Sequence, residues 1–167
     1  MPADSFDQVY DIETAIEAAF KSFFTAQEIP CYVTNDIAEI QKSRPRVELM
    51  YQHGSEIGHN STASTYYRPD TFAGGLTVAI VTNAKDDNTG TIEHSQFRAR
   101  VRNIMAKSRT AFKADADAEN ALLPYHCVLD VVESGTSPGY EPQDGYYISR
   151  ISYEIKTNIR PDAWPSE

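Results

Sequence analysis

The stretch YISRISYEIKTNI, residues 147–159, decides the fold. Tyr147, Ile151, Tyr153, Ile155 and Ile159 fall on one side of a two-residue period. Arg150, Ser152, Glu154, Lys156 and Asn158 fall on the other. Alternation over this length is the pattern of an antiparallel strand with one face on a core and the other in water. Pro161 closes the strand, because it has no N–H for a ladder, and leaves a short tail over 161–167 that contains Trp164.

Working back from it, three more stretches read as strands. Val47, Leu49 and Tyr51 alternate within Arg46 to Gln52. Leu76, Val78 and Ile80 follow Gly74-Gly75 and stop near Asn83. Tyr125 to Val132 alternates again. Cys31 to Val33 is a candidate short strand, and Asn35 to Gln41 a candidate helical turn. Two segments carry the helical period instead. Ile12, Ile16, Phe20 and Phe23 recur between Ser5 and Ala26, with Glu13, Glu17 and Lys21 on the face expected to be wet. Phe97, Val101, Ile104 and Met105 do the same between Thr91 and Phe112. Turn residues fill Lys85 to Gly90, and an acidic, alanine-rich connector covers Ala114 to Asn120. Long loops are expected near 53–70, where Tyr66 and Tyr67 could begin a strand resuming after Pro69, and near 133–143. The order of elements predicts an α+β fold: a mainly antiparallel sheet packed by two amphipathic helices, as a single domain over 1–167.

The totals agree with one globular domain: 167 residues, 41% hydrophobic, 23% charged. Fifteen basic against twenty-four acidic residues give a net charge of -9, which opposes diffuse binding to DNA or to anionic membranes. Two cysteines, Cys31 and Cys127, cannot build a disulfide scaffold and read as small apolar side chains. The acidic start MPADSFDQVYDIE lacks the pattern of a secretory signal, and Leu76 to Val81 is too short to span a bilayer. The expectation is a soluble protein made in the cytoplasm, without membrane contact.

Chemistry is sparse. His53 and His59 flank Glu56, but Gly54 and Gly58 favour a flexible loop over a rigid ligand set; His126 belongs on the outer side of a strand. No serine sits in a nucleophile elbow, and the glycine pairs lack the lysine of a phosphate loop. Asp86-Asp87 lies in a turn, where solvated acids are expected. No catalytic residue, cofactor or metal is therefore expected. The informative charges are Arg98, Arg102 and Arg109, spaced to share one face of the second helix. They suit an acidic neighbouring subunit or DNA passing through a channel. Trp164 supplies a second candidate contact, since tryptophan is enriched at interfaces; it could also fold back on its own core.

The DIETAIEAAFKSFF helix, the FRARVRNIMAKSRTAF helix and the closing ISYEIKTNIRPDAWP strand resemble, in order and layout, the tail-terminator (tail-completion) proteins of tailed bacteriophages. The resemblance implies a structural virion protein of the tail or neck, not an enzyme. It implies a hexameric ring that ends tail-tube polymerisation and offers the head connector or another neck protein a joining surface, with genomic DNA passing through the lumen. Arg98, Arg102, Arg109 and Trp164 are then candidate subunit or lumen contacts. Alternatives are another neck component, such as a head-completion or connector protein, and a small ligand-binding domain or enzyme.

Overall fold

The computed structural model describes residues 5–33, 43–54, 56–58, 70–85, 88–117, 126–137, 141–143 and 145–159. The deciding stretch lies within β7 (Tyr146–Ile159). Along its whole length β7 pairs antiparallel with β4 (Asp70–Asn83), which sets Val78 opposite Ile151 and Leu76 opposite Tyr153. Its other side carries β5 (His126–Thr136) and then β6 (Glu141–Gln143). The far side of β4 carries β2 (Arg46–Gln52) and then β3 (Glu56–Gly58). The short β1 (Cys31–Val33) runs parallel to β2, the one parallel pairing among the described residues, so the main order is β1-β2-β4-β7-β5. The fold is α+β in a single domain, with a mixed, mainly antiparallel sheet.

The alternation of the strands puts Leu49, Val78 and Ile151 on one face, and both helices cover it. Helix α1 (Ser5–Ala26) packs Ile16, Phe20 and Phe24 over β1 and β2, while α2 (Asn88–Asp117) packs Val101, Ile104, Met105 and Phe112 over β4, β5 and β7. Each such buried side chain contributes about 1.5–3 kcal/mol relative to exposure. Phe112 joins the two helices, its ring 4.9 Å from that of Phe20 and 5.1 Å from that of Phe23, both in edge-to-face arrangement. The opposite face of the sheet presents Glu48, Met50, Gln52, Arg150, Ser152 and Glu154, and no described helix covers it.

Helix α1 stops in a Schellman turn. Ile29 N–H donates to Phe24 O at 3.0 Å and Glu28 N–H to Thr25 O at 3.0 Å, with Glu28 in the left-handed region at φ 58°. Buried Ile29 and Phe24 supply the apolar contact that accompanies this turn. At the other end of the domain Gly74 is dictated by close approach: a Cβ there would sit 2.1 Å from the Tyr51 hydroxyl oxygen.

The structure moves several expected boundaries. Helix α2 starts at Asn88 rather than Thr91, because Asn and Thr suit a helix start as well as a turn. Gly90 thus lies buried in its first turn, where a Cβ would meet Tyr147 and Lys85 at 3.1 and 3.0 Å. The helix continues to Asp117, into the expected connector. Strand β4 begins at Asp70, six residues before the expected Leu76, and β3 occupies part of the 53–70 loop. Strand β5 continues to Thr136 and β6 starts at Glu141, so the expected 133–143 loop is largely strand; two bulges keep β5 in register with β7. The helical turn at Asn35 to Gln41, residues Tyr66 and Tyr67, His59, and the 161–167 tail with Trp164 lie outside the described residues.

Candidate functional site

The arginine face of α2 is directed at its own sheet. Arg102 grips Glu133 of β5 with two hydrogen bonds, from Nε and from a terminal guanidinium nitrogen. One turn pair further on, Arg109 Nε donates to Asp130 Oδ1 at 2.8 Å. The same oxygen accepts the Val131 N–H at 2.9 Å. Arg98 is half-buried, and its Nε has no hydrogen-bond partner among the described residues. The spacing did place these residues toward one side, but two of the three charges are already met within the chain. Both pairs are solvent-touched, with the arginine side chains 47% exposed, so each contributes little more than a surface ion pair.

The carboxylates of α1 are not on a wet face either. Strand β1 covers β2 only as far as Leu49. Beyond that point Glu17 Oε1 accepts the Tyr51 N–H at 3.0 Å, and Glu13 Oε1 accepts the His53 N–H at 3.0 Å. Glu17 is 4% exposed. Residues four apart on a helix rise about 6 Å, and residues two apart on a strand about 6.6 Å, so a helix flank can cap successive edge amides. The helical period alone could not reveal this, since the partners lie more than thirty residues away.

A third polar system is fully buried. His94 of α2 lies between Thr82 of β4 and Ser149 of β7, with Nδ1 2.6 Å from the threonine hydroxyl and Nε2 2.5 Å from the serine hydroxyl. A neutral imidazole donates to one hydroxyl and accepts from the other. Burial, helped by the Arg98 charge, pushes the His94 pKa down to about 4. With Ser149 and His94 fully buried, the array is a tie between helix and sheet, not an exposed nucleophile. Its sequence signal was present: His94, Phe97, Val101 and Ile104 form one helical stripe.

Two concavities formed by the described residues open to solvent. A cleft of about 420 Å³ lies beside the first turns of α2, walled by Pro45 and Phe97 and rimmed by Lys85, Glu93, Gln96 and Arg100. Lys85 Nζ pairs with Glu93 at 2.8 Å, and Arg100 donates to Gln27 O at 2.9 Å. A notch of about 410 Å³ lies further along the sheet, where Gly54, Gly74 and Gly75 leave backbone bare beside His53, Ser134, Tyr153 and Glu154. There the Tyr51 hydroxyl lies 3.3 Å from His53 Nδ1, and the His53 and Phe72 rings lie 5.1 Å apart. Burial lowers the His53 pKa, against the pull of Glu13, and raises that of Tyr153 to about 12. Among the described residues no group of three His, Cys, Asp or Glu side chains is placed to hold a metal ion.

No family model matches the chain, and no curated protein matches it. Among solved structures, one chain at 17% identity covers 87% of this chain and 94% of its own, with a TM-score of 0.38.

Proposed function

We propose that this chain is a structural virion protein of the tail-terminator kind, assembling as a hexameric ring on the end of a phage tail tube. The observation that supports the reading is the one-sided build of the sheet. Two helices cover one face, while the other presents Glu48, Met50, Gln52, Arg150, Ser152 and Glu154 uncovered by any described helix. Beside it, among the described residues, β5 is a long edge strand with one ladder used. An uncovered face and a free edge suit a protein that works by being surrounded, since an edge invites another chain.

In this reading each subunit meets its neighbours through two different surfaces, a heterologous contact that closes by rotation. A second surface binds the last ring of tube protein, blocks further polymerisation and leaves a platform for the head connector. The net charge of -9 then keeps passing DNA from adhering to the ring. No catalysis is required, and none of the described side chains needs a cofactor for this role. The test is native mass across a concentration series, with negative-stain images, in the presence and absence of tail tubes. Closed rings of about six subunits seated on tube ends support the proposal. A chain that stays monomeric at every concentration and leaves tube ends growing overturns it.

A further inference from the structure

The cleft beside α2 has the chemistry of a seat for an aromatic anchor. Phe97 and Pro45 give it apolar walls, and Lys85 and Arg100 give it cations at the rim. The chain carries one tryptophan, Trp164, held between Pro161 and Pro165. Thr82, in the cleft wall, is level with Tyr147 near the start of β7, whereas the segment bearing Trp164 follows Ile159 at the other end. From Tyr147 to Ile159 a strand spans about 40 Å. The chain from Ile159 to Trp164 extends at most about 18 Å. Measured to Thr82 the same copy's chain to Trp164 falls short by roughly 20 Å, and measured to Phe97, which lies on α2 between His94 at Ser149 and Arg102 at Glu133 opposite Tyr153, by roughly 10 Å.

We infer that the cleft receives the segment around Trp164 from a neighbouring copy of this chain. The inference rests on the self-assembly in the proposed function. Phe97 and Arg100 offer an indole an apolar wall and a cation–π partner. Lys85 and Glu93 pair with each other, so Arg100 leaves the rim with a net positive charge, while Asp162 and Glu167 outweigh Arg160 in the segment, and the two are complementary. Prolines on both sides of the tryptophan restrict the segment beforehand, so less conformational entropy is lost on docking. The notch at Gly74 and Gly75 is within reach of the same copy's tail. Its lining includes Glu154 and neither Lys nor Arg, which repels Asp162. Each copy then gives one segment and accepts one, a head-to-tail arrangement that a ring closes.

Because Trp164 is the single tryptophan, the full chain carrying Trp164→Ala is silent at tryptophan wavelengths, and a synthetic peptide of residues 158–167 added to it is the only emitter. The expected result is a saturable blue shift of peptide emission, with affinity about tenfold weaker in the further variants Arg100→Glu or Lys85→Glu. Circular dichroism confirms that these surface variants are folded. Emission that stays solvent-like, or a shift indifferent to both reversals, overturns the inference. The two failures separate: rings formed by Trp164→Ala without peptide binding sink this contact and leave the terminator reading. Peptide binding by a chain that never caps tubes sinks that reading and leaves the contact.

Discussion

Helix α1 reaches the sheet through the backbone of β2, whereas α2 reaches it through side chains of β4, β5 and β7. At the first edge Glu17 and Glu13 take the place of a missing strand, bonding amides that β1 does not reach. At the second, Arg102 and Arg109 hold Glu133 and Asp130, and the Val131 amide is met by the Asp130 carboxylate. One edge is closed by buried hydrogen bonds; the other is tethered by ion pairs that water touches. Buried and charge-assisted bonds are costly to break, while exposed pairs are not. The difference leaves β5 as the side at which the sheet can be extended.

Acid separates the two helices most. His94 is held near pKa 4 in the folded chain and returns to about 6.5 on unfolding, so the unfolded state binds the proton first. The His94 contribution to stability is complete above pH 6.5 and is lost as the pH drops toward 4, by about 3 kcal/mol. The change is read by urea unfolding at stepped pH, and His94→Gln flattens the slope between these limits. A slope unchanged in that variant removes His94 as its source.

Next in size is Glu17→Ala, which leaves the Tyr51 amide without its acceptor and costs about 2 kcal/mol, with Glu17→Gln recovering most of it. Equal losses in the two variants mean that the carboxylate charge, not the acceptor, holds this edge. Asp130→Ala costs about 1 kcal/mol and promotes association through β5, measured together by thermal unfolding and light scattering. If association rises more after Glu17→Ala than after Asp130→Ala, the ranking of the edges is reversed. Smallest is Arg102→Ala, about 0.5 kcal/mol at low ionic strength and less in concentrated salt. A salt-independent loss shows that its aliphatic stem, rather than its charge, carries the contact.

The fold was legible where one residue pattern has one physical reading. Alternation from Tyr147 to Ile159 and in Val47, Leu49 and Tyr51 reports a strand with one buried face, and both helices declared their apolar stripes. Boundaries failed where residues serve two structures: Asn88 and Thr89 suit a turn and a helix start, and Gly135 belongs to a bulge rather than a loop. Polar partners were the least legible. Glu13 and Glu17 each directly follow a residue of the apolar stripe, Ile12 and Ile16, and look wet until β2 arrives beside them. The spacing of Arg98, Arg102 and Arg109 gave their side of the helix, but not that Asp130 and Glu133 stand there.

The contact between Tyr51 and Gly74 binds two positions into one unit of inheritance. A methyl group at 74 would have to occupy the place of the tyrosine hydroxyl, 2.1 Å from it. In a population of drifting sequences, position 74 is not free to vary first, since the clash arises only while the ring at 51 is present. A change from glycine at 74 is tolerated only in chains that have already given up the ring at 51, and the two should appear exchanged together across descendants of this chain.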